Sequence, residues 1–208
     1  DELGYRYFLL NKPYGYISQF TSPHRKNRKL GELYSFPRSV QPVGRLDKDS
    51  EGLLVLTNDG ALHHRLLDPS YGHEREYWAQ VHGQPTAAAL EALQAGVTIS
   101  IEGTTFHTRP AKAAVLDPQP TLPPRGKPLS ARGPYPTPWI QLILTEGKYR
   151  QARKMTAMVG LPTLRLIRKR IAGLTLDFDE IPLGSVQAVS GEWLYQALFG
   201  EAQDNRSA

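Results

Sequence analysis

The segment Val43-Gly44-Arg45-Leu46-Asp47-Lys48-Asp49-Ser50-Glu51-Gly52-Leu53-Leu54-Val55-Leu56-Thr57-Asn58-Asp59-Gly60 constrains this chain more than any other. Leu53 to Thr57 is an apolar run too short for a helix and bounded by turn residues, so it reads as a short buried strand. Asn58-Asp59-Gly60 then turns into a helix expected from about Ala61 to Leu67. Asp47 therefore sits on a loop between two rigid elements, where a reactive group is both exposed and well aimed.

Asp47, Asp49, Glu51 and Gly52 also match the first half of a helix–loop–helix calcium loop. The match fails at the twelfth position, which is Asn58 rather than a bidentate glutamate, and the exit is strand-like. The plainest alternative is a solvated turn whose acids are only surface charge.

The chain has 208 residues, enough for one large domain or two small ones with a real core. No apolar run approaches a membrane span, and the first residues lack the basic-then-apolar pattern of a signal peptide. There are no cysteines, which removes disulfides, thiolate zinc sites and cysteine nucleophiles, and fits a cytoplasmic protein. The net charge of +5 is unevenly spread. Thr145 to Ile171 holds Lys148, Arg150, Arg153, Lys154, Arg165, Arg168, Lys169 and Arg170 against Glu146 alone. That segment carries +7 and leaves −2 for the rest, the footprint expected for a nucleic-acid partner.

Strands are expected at Tyr7–Asn11 and, after the turn Lys12-Pro13-Tyr14-Gly15, at Tyr16–Phe20. His24 to Lys29 holds four basic residues, Arg25, Lys26, Arg28 and Lys29. It reads either as a solvated loop or as a phosphate-touching one. Leu30–Tyr34 reads as a helical turn, His73–His82 as a strand, and Pro85–Ala95 as a helix stopped by Gly96. Strands follow at Val97–Ile101 and Thr104–Leu116. Asp117–Pro138 carries eight of the seventeen prolines and reads as a loop or extended arm inserted within one domain. Arg125, Lys127 and Arg132 make it either a contact to a polyanion or an excursion with no role. Trp139–Thr145 is a strand and Arg150–Val159 a helix with Arg150, Arg153 and Lys154 on one face. Its methionines read as core. Strands at Thr163–Ile171, Leu174–Leu176 and Val186–Val189 precede a helix capped by Ser190, with Trp193, Leu194 and Leu198 facing inward. Glu201–Ala208 reads as a frayed tail. The class is α+β with a large, mostly antiparallel sheet.

GRLDKDSEGLLVLTNDG closely resembles the signature of the RsuA/RluB/RluE family of ribosomal RNA pseudouridine synthases. LNKPYGYIS resembles the strand–turn–strand that opens that family's catalytic domain. Arg75-Glu76-Tyr77 resembles its K-x-Y motif, with arginine in place of lysine, which preserves charge but not shape. Glu146-Gly147-Lys148-Tyr149-Arg150-Gln151-Ala152-Arg153-Lys154-Met155 resembles E-G-x-x-x-Q-x-R-x-M, and Leu166-Ile167-Arg168 its LxR pattern. The resemblance runs from about Tyr7 to Phe199. It implies a single catalytic domain over residues 1–208, a mixed sheet flanked by helices, and two subdomains about a central cleft. It also points to the short RluE-like branch, since no room for an S4-type RNA-binding domain precedes Leu9. That branch modifies large-subunit (23S) ribosomal RNA, and a monomer is expected.

Making pseudouridine means breaking the N-glycosidic bond, turning the uracil and rejoining it through carbon. No metal or redox cofactor is demanded. The resemblance assigns the catalytic carboxylate to Asp47, the ring under the extruded base to Tyr77 and the arginine that pairs with the aspartate to Arg153. Leu166 is the apolar neighbour of the tyrosine, and Arg45 a wedge or phosphate contact. Arg150, Lys154, Arg165, Arg168, Lys169, Arg25 and Lys26 are the remaining candidates for RNA contact. Taken without the resemblance, Tyr77 reads first as a core tyrosine with its hydroxyl bonded, and Arg153 as a surface helix residue. Two rival functions are a non-catalytic RNA-binding or ribosome-assembly module on the same basic patch, and a metal-dependent phosphodiesterase built on Asp47, Asp49 and Glu51.

Overall fold

The structure is a computed structural model and describes residues 4–130 and 133–201. Arg132 and the tail beyond Glu201 lie outside the described residues. In chain order the strands are β1 (Tyr7–Lys12), β2 (Gln41–Pro42), β3 (Ser50–Thr57), β4 (Arg75–Val81), β5 (Thr98–Ile101), β6 (Thr104–His107), β7 (Lys112–Val115), β8 (Trp139–Leu144), β9 (Thr163–Ile171), β10 (Leu174–Thr175) and β11 (Val186–Val189). The helices are α1 (Gly60–Leu67), α2 (Ala87–Ala95), α3 (Gln151–Met158) and α4 (Gly191–Phe199). The class is α+β, with a large mixed sheet flanked by helices. Among the described residues, no helix is long and apolar enough to cross a membrane.

The chain forms two compact units. The first comprises the chain through Tyr71 and the segment from Arg170 onward; the second is Gly72–Lys169. In the first, β1 pairs antiparallel with β11 on one side and β3 on the other, in a register that sets Lys12 opposite Gly52. Both β1 and β3 are buried along their whole length, so neither alternates. Leu9, Leu53 and Val55 pack on one face with Leu62 of α1 and Leu194 and Leu198 of α4. Phe8, Leu10, Leu54 and Leu56 pack on the other with Leu30 and Val40. Asp59 caps α1 by accepting from the amides of Ala61 and Leu62, and Ser190 caps α4 by accepting from Trp193.

In the second unit the strand order is β9-β4-β8-β7, and β5 and β6 form a separate antiparallel hairpin. Ala79, Val81, Leu93, Ile140, Leu142, Met155 and Leu166 are central in its core. Glu102 and Gly103, both at positive φ, make the hairpin turn.

Several expectations need correction. Tyr16–Phe20 forms no strand; only an isolated bridge joins Tyr16 to Arg28, and Ser18 spends its hydrogen bonds on Leu46 instead. Thr104–Leu116 is two strands, because Pro110 cannot donate to a ladder and the chain leaves the hairpin there. Arg150 is left-handed, with φ 52, and stands before α3, so it does not share a helical face with Arg153 and Lys154. Met155 is buried, but Met158 is 60% exposed. Trp193 is 47% exposed, and Tyr195 takes the inward place on α4. The arm at residues 117–138 has no regular structure among its described residues, yet it is tethered. The Gln119 amide bonds to both the N–H and the C=O of Trp139, and Arg125 donates to the carbonyls of Lys127, Pro128 and Leu164.

Candidate active site

Asp47 lies in the first unit, half-buried, on the turn that leads into β3. Gly44 and Gly52 bracket this turn at φ 73 and 110, conformations that side chains with a Cβ rarely adopt. The amide of Ser50 donates to the carbonyl of Asp47 at 3.0 Å and closes the turn. The amide of Gly15 donates to the carbonyl of Lys48 at 2.8 Å, which ties in the Pro13–Gly15 turn. The Ser18 hydroxyl bonds both backbone polar atoms of Leu46. With the Gln19 amide oriented to satisfy its neighbours, its oxygen accepts from the Arg45 guanidinium at 3.1 Å. Lys48 reaches Asn27 at 3.0 Å, and so joins the 24–29 loop to the same turn. His24, Arg25, Lys26, Arg28 and Arg45 are exposed around it.

Beneath the turn is a buried cation. Lys12 is fully buried, and its ammonium donates to the carbonyls of Tyr16 at 2.7 Å and Pro13 at 3.0 Å. Burial pulls its pKa down to about 8; Glu51, then Asp49, then Asp47 pull in the opposite direction. Thus the negative charge of the signature loop favours the charged form of an internal ammonium. Among the described residues, no cluster of three His, Asp or Glu side chains could hold a metal ion. Asp47, Asp49 and Glu51 therefore do not gather as the calcium or phosphodiesterase readings require.

The other candidates lie in the second unit. Tyr77 is on β4, half-buried, and packs against the core cluster that contains Leu166, Ala152 and Met155. Arg75 is two residues away on the same face. Its guanidinium is held below its ordinary pKa, first by burial and then by the like charge of Arg168. Arg153 is half-buried on α3, next to the core-facing Ala152.

At the turn into α3, Glu146 and Gln151 are bonded to each other. Glu146, 9% exposed, accepts from the side-chain amide of Gln151 at 3.0 Å and from the backbone amide of Arg109 at 2.7 Å. Gln151 in turn accepts from the amide of Lys148 at 3.1 Å. Gln151 thus holds the turn before α3, where Arg150 provides no cap, and Glu146 ties that turn to the backbone of Arg109.

The basic segment does not form one exposed patch, contrary to the sequence reading. Arg165 and Arg168 are 5% and 4% exposed, with Arg165 over the ring of Trp139. A strand that alternates leucine and arginine inside a sheet places both faces under cover. Lys169 is half-buried over Trp78, Arg150, Arg153, Lys154 and Arg170 are half-buried, and Lys148 is exposed. Lys12, Ser18 and Gln19 escaped sequence reasoning. The one available signal was a lysine at the end of an unbroken apolar strand, where no solvated face is left for it.

Residues 6–158 match the family described as RNA pseudouridylate synthase. The chain is 50% identical over 169 residues to "Ribosomal large subunit pseudouridine synthase E" of Xanthomonas axonopodis pv. citri (strain 306), covering 81% of this chain and 87% of that protein. It is 37% identical over 172 residues to "Ribosomal large subunit pseudouridine synthase B" of Bacillus subtilis (strain 168), covering 82% of this chain and 63% of that one. A crystal structure of a pseudouridylate synthase shares the fold, with a TM-score of 0.75 at 24% identity over 93% of this chain and 74% of that one. By the extent of the family match and the identity to these relatives, the chain belongs to the RNA pseudouridylate synthase family.

Proposed function

We propose that the protein isomerises a specific uridine of large-subunit (23S) ribosomal RNA to pseudouridine, with Asp47 as the catalytic carboxylate. The bond from N1 of uracil to the ribose breaks, the freed base turns, and C5 takes the ribose; N1 gains a proton and C5 loses one. Atoms and electrons balance within the nucleoside. Asp47 acts on the nucleoside, Tyr77 gives the extruded base a ring to stack on, and Arg153 is the carboxylate's counter-ion. Leu166 sets the packing under Tyr77. Arg25, Lys26 and Arg45 beside the Asp47 turn, and Arg150, Lys154 and Lys169 in the second unit, attract the RNA backbone. Arg165 and Arg168, being buried, serve to set the local field and packing. The enzyme works as a monomer in the cytoplasm.

The observation that carries this reading is the number of ties on the Asp47 turn. Bonds from Gly15, Ser18 and Ser50 hold the backbone around one half-buried carboxylate above a buried ammonium. A surface turn has no use for that rigidity, whereas a reacting group does. The names of the relatives support the choice of large-subunit RNA.

The test is to map pseudouridine in 23S ribosomal RNA after incubation with wild type and Asp47→Asn. The substitution keeps shape and removes charge, so the thermal midpoint should hold while conversion is lost. An undiminished rate in the asparagine variant removes Asp47 from the chemistry. RNA binding by wild type with no pseudouridine formed would favour the non-catalytic assembly module.

A further inference from the structure

Tyr149 is 64% exposed, and it stands in a collar of cations. Its chain neighbours are Lys148 and Arg150, and the Lys154 ammonium lies 5.3 Å from its ring centroid. Lys154 is not free to wander: its ammonium donates to the carbonyl of Ser100 on β5 at 2.8 Å. Lys148 lies 5.1 Å from the ring centroid of Phe106 on β6. Lys148 on the turn and Lys154 on α3 thus tie this segment to the β5–β6 hairpin, and Tyr149 stands exposed beside them. The left-handed Arg150 and the Glu146–Gln151 bond fix the turn that carries this ring.

We propose that this surface is a subsite for an unpaired nucleotide of the RNA, whose base stacks on Tyr149 while the lysines meet its phosphates. The proposal rests on the RNA reading above and adds a residue outside the reaction itself. Sequence-tolerant binding of single strands needs an aromatic face for a base and cations along the backbone, and both are present here. Residues 146–154 carry four cations against one buried acid that is already bonded, so the charge favours a polyanion. Stacking needs a base free of its duplex, so the subsite selects unpaired RNA over paired RNA.

The experiment measures affinity for a labelled ten-nucleotide oligouridylate and for an RNA duplex of equal length. The full-length wild type is compared with Tyr149→Ala, Tyr149→Phe and Lys154→Met. Pseudouridine formation in 23S ribosomal RNA is followed in parallel. Tyr149→Ala should weaken the single strand by about tenfold or more and leave the duplex unchanged, and Tyr149→Phe should bind as wild type. Lys154→Met should lower the salt slope by about one. Equal binding of the single strand by wild type and Tyr149→Ala overturns the proposal, as does an equal loss on the duplex, which would mark a merely basic surface. Selective loss in Tyr149→Ala with no pseudouridine made by wild type upholds the subsite and sinks the enzymatic reading. Intact conversion with unchanged affinity in Tyr149→Ala sinks the subsite alone.

Discussion

The Ser18 hydroxyl accepts from the amide of Leu46 at 3.0 Å and donates to its carbonyl at 2.8 Å, so one side chain grips both polar atoms of the residue before Asp47. Leu46 is 5% exposed, and water has little access to replace either bond. Ser18→Ala leaves a buried donor and a buried acceptor unmade, which should cost about 2–4 kcal/mol. The same change loosens the turn that aims the carboxylate. Urea unfolding should show the stability loss, and single-turnover conversion should fall in kcat more than in KM. A variant as stable as wild type would show that the two bonds contribute nothing.

Lys12 gives the protein an unusual alkaline signature. Its folded pKa of about 8 lies below the ordinary lysine value of 10.5. Between those limits the unfolded chain holds a proton that the folded chain has shed, so stability rises with pH across the window. The contribution is roughly 3 kcal/mol at full extent. Below pH 8 both forms are charged, and burying the ammonium costs that amount. Lys12→Met should flatten the rise between pH 8 and 10, read as urea midpoints in a pH series. An identical slope in the variant would place the titration elsewhere.

Much of the architecture was legible because periodicity and turn chemistry agree. β9 and β11 have the bounds that the sequence suggested, and α1, α2 and α4 are capped by Asp59, Thr86 and Ser190, residues able to accept from free amides. What escaped was tertiary. Tyr16–Phe20 follows a turn as the second arm of a hairpin would, yet its polar residues turn to Arg45 and Leu46, contacts between residues distant in sequence. Trp193 looked like core because it is apolar and near Leu194, but a helix of nine residues has one buried stripe, which Leu194, Tyr195 and Leu198 fill. The basic segment looked like a surface because charge usually is, and Arg165 and Arg168 are the exceptions. Asp47, Tyr77 and Arg153 came from the motifs; the ties that fix the Asp47 turn did not, since hydrogen bonds to the backbone leave no signature in composition.

Asp59 ties two tyrosines to the start of α1. It accepts from the hydroxyls of Tyr7 and Tyr195 at 2.8 Å each and from the amides of Ala61 and Leu62 at 3.0 and 3.2 Å. Burial first, and then Asp59, push both tyrosines above the ordinary value of 10.0. Above about pH 10 the unfolded chain releases protons that the folded chain keeps, so stability falls with rising pH there. Tyr7→Phe and Tyr195→Phe should each cost about 1.5–3 kcal/mol at neutral pH, because each removes a bond to a charged acceptor. The double variant should depart from additivity, since the two hydroxyls share one oxygen. Denaturation series at pH 7 and pH 10.5 check both points, and an unaltered alkaline limb in the double variant would contradict the assignment.

Arg125 anchors the proline-rich arm through three carbonyls, one of them Leu164 of β9, while the remaining two lie within the arm at Lys127 and Pro128. Prolines cannot donate, so the arm holds itself with side chains instead of a ladder. Arg125→Met keeps the aliphatic stem and removes all three bonds. Because the site is partly exposed, local opening should become easier by only about 1–2 kcal/mol, or roughly five- to thirtyfold in the open population. Cleavage by thermolysin within residues 117–138 should accelerate by that factor while the global unfolding midpoint stays put. Gln119→Leu should behave differently. It strips partners from Trp139, 7% exposed at the start of β8, and so should lower the global midpoint as well. Equal cleavage of wild type and Arg125→Met would mean that the prolines alone hold the arm in place.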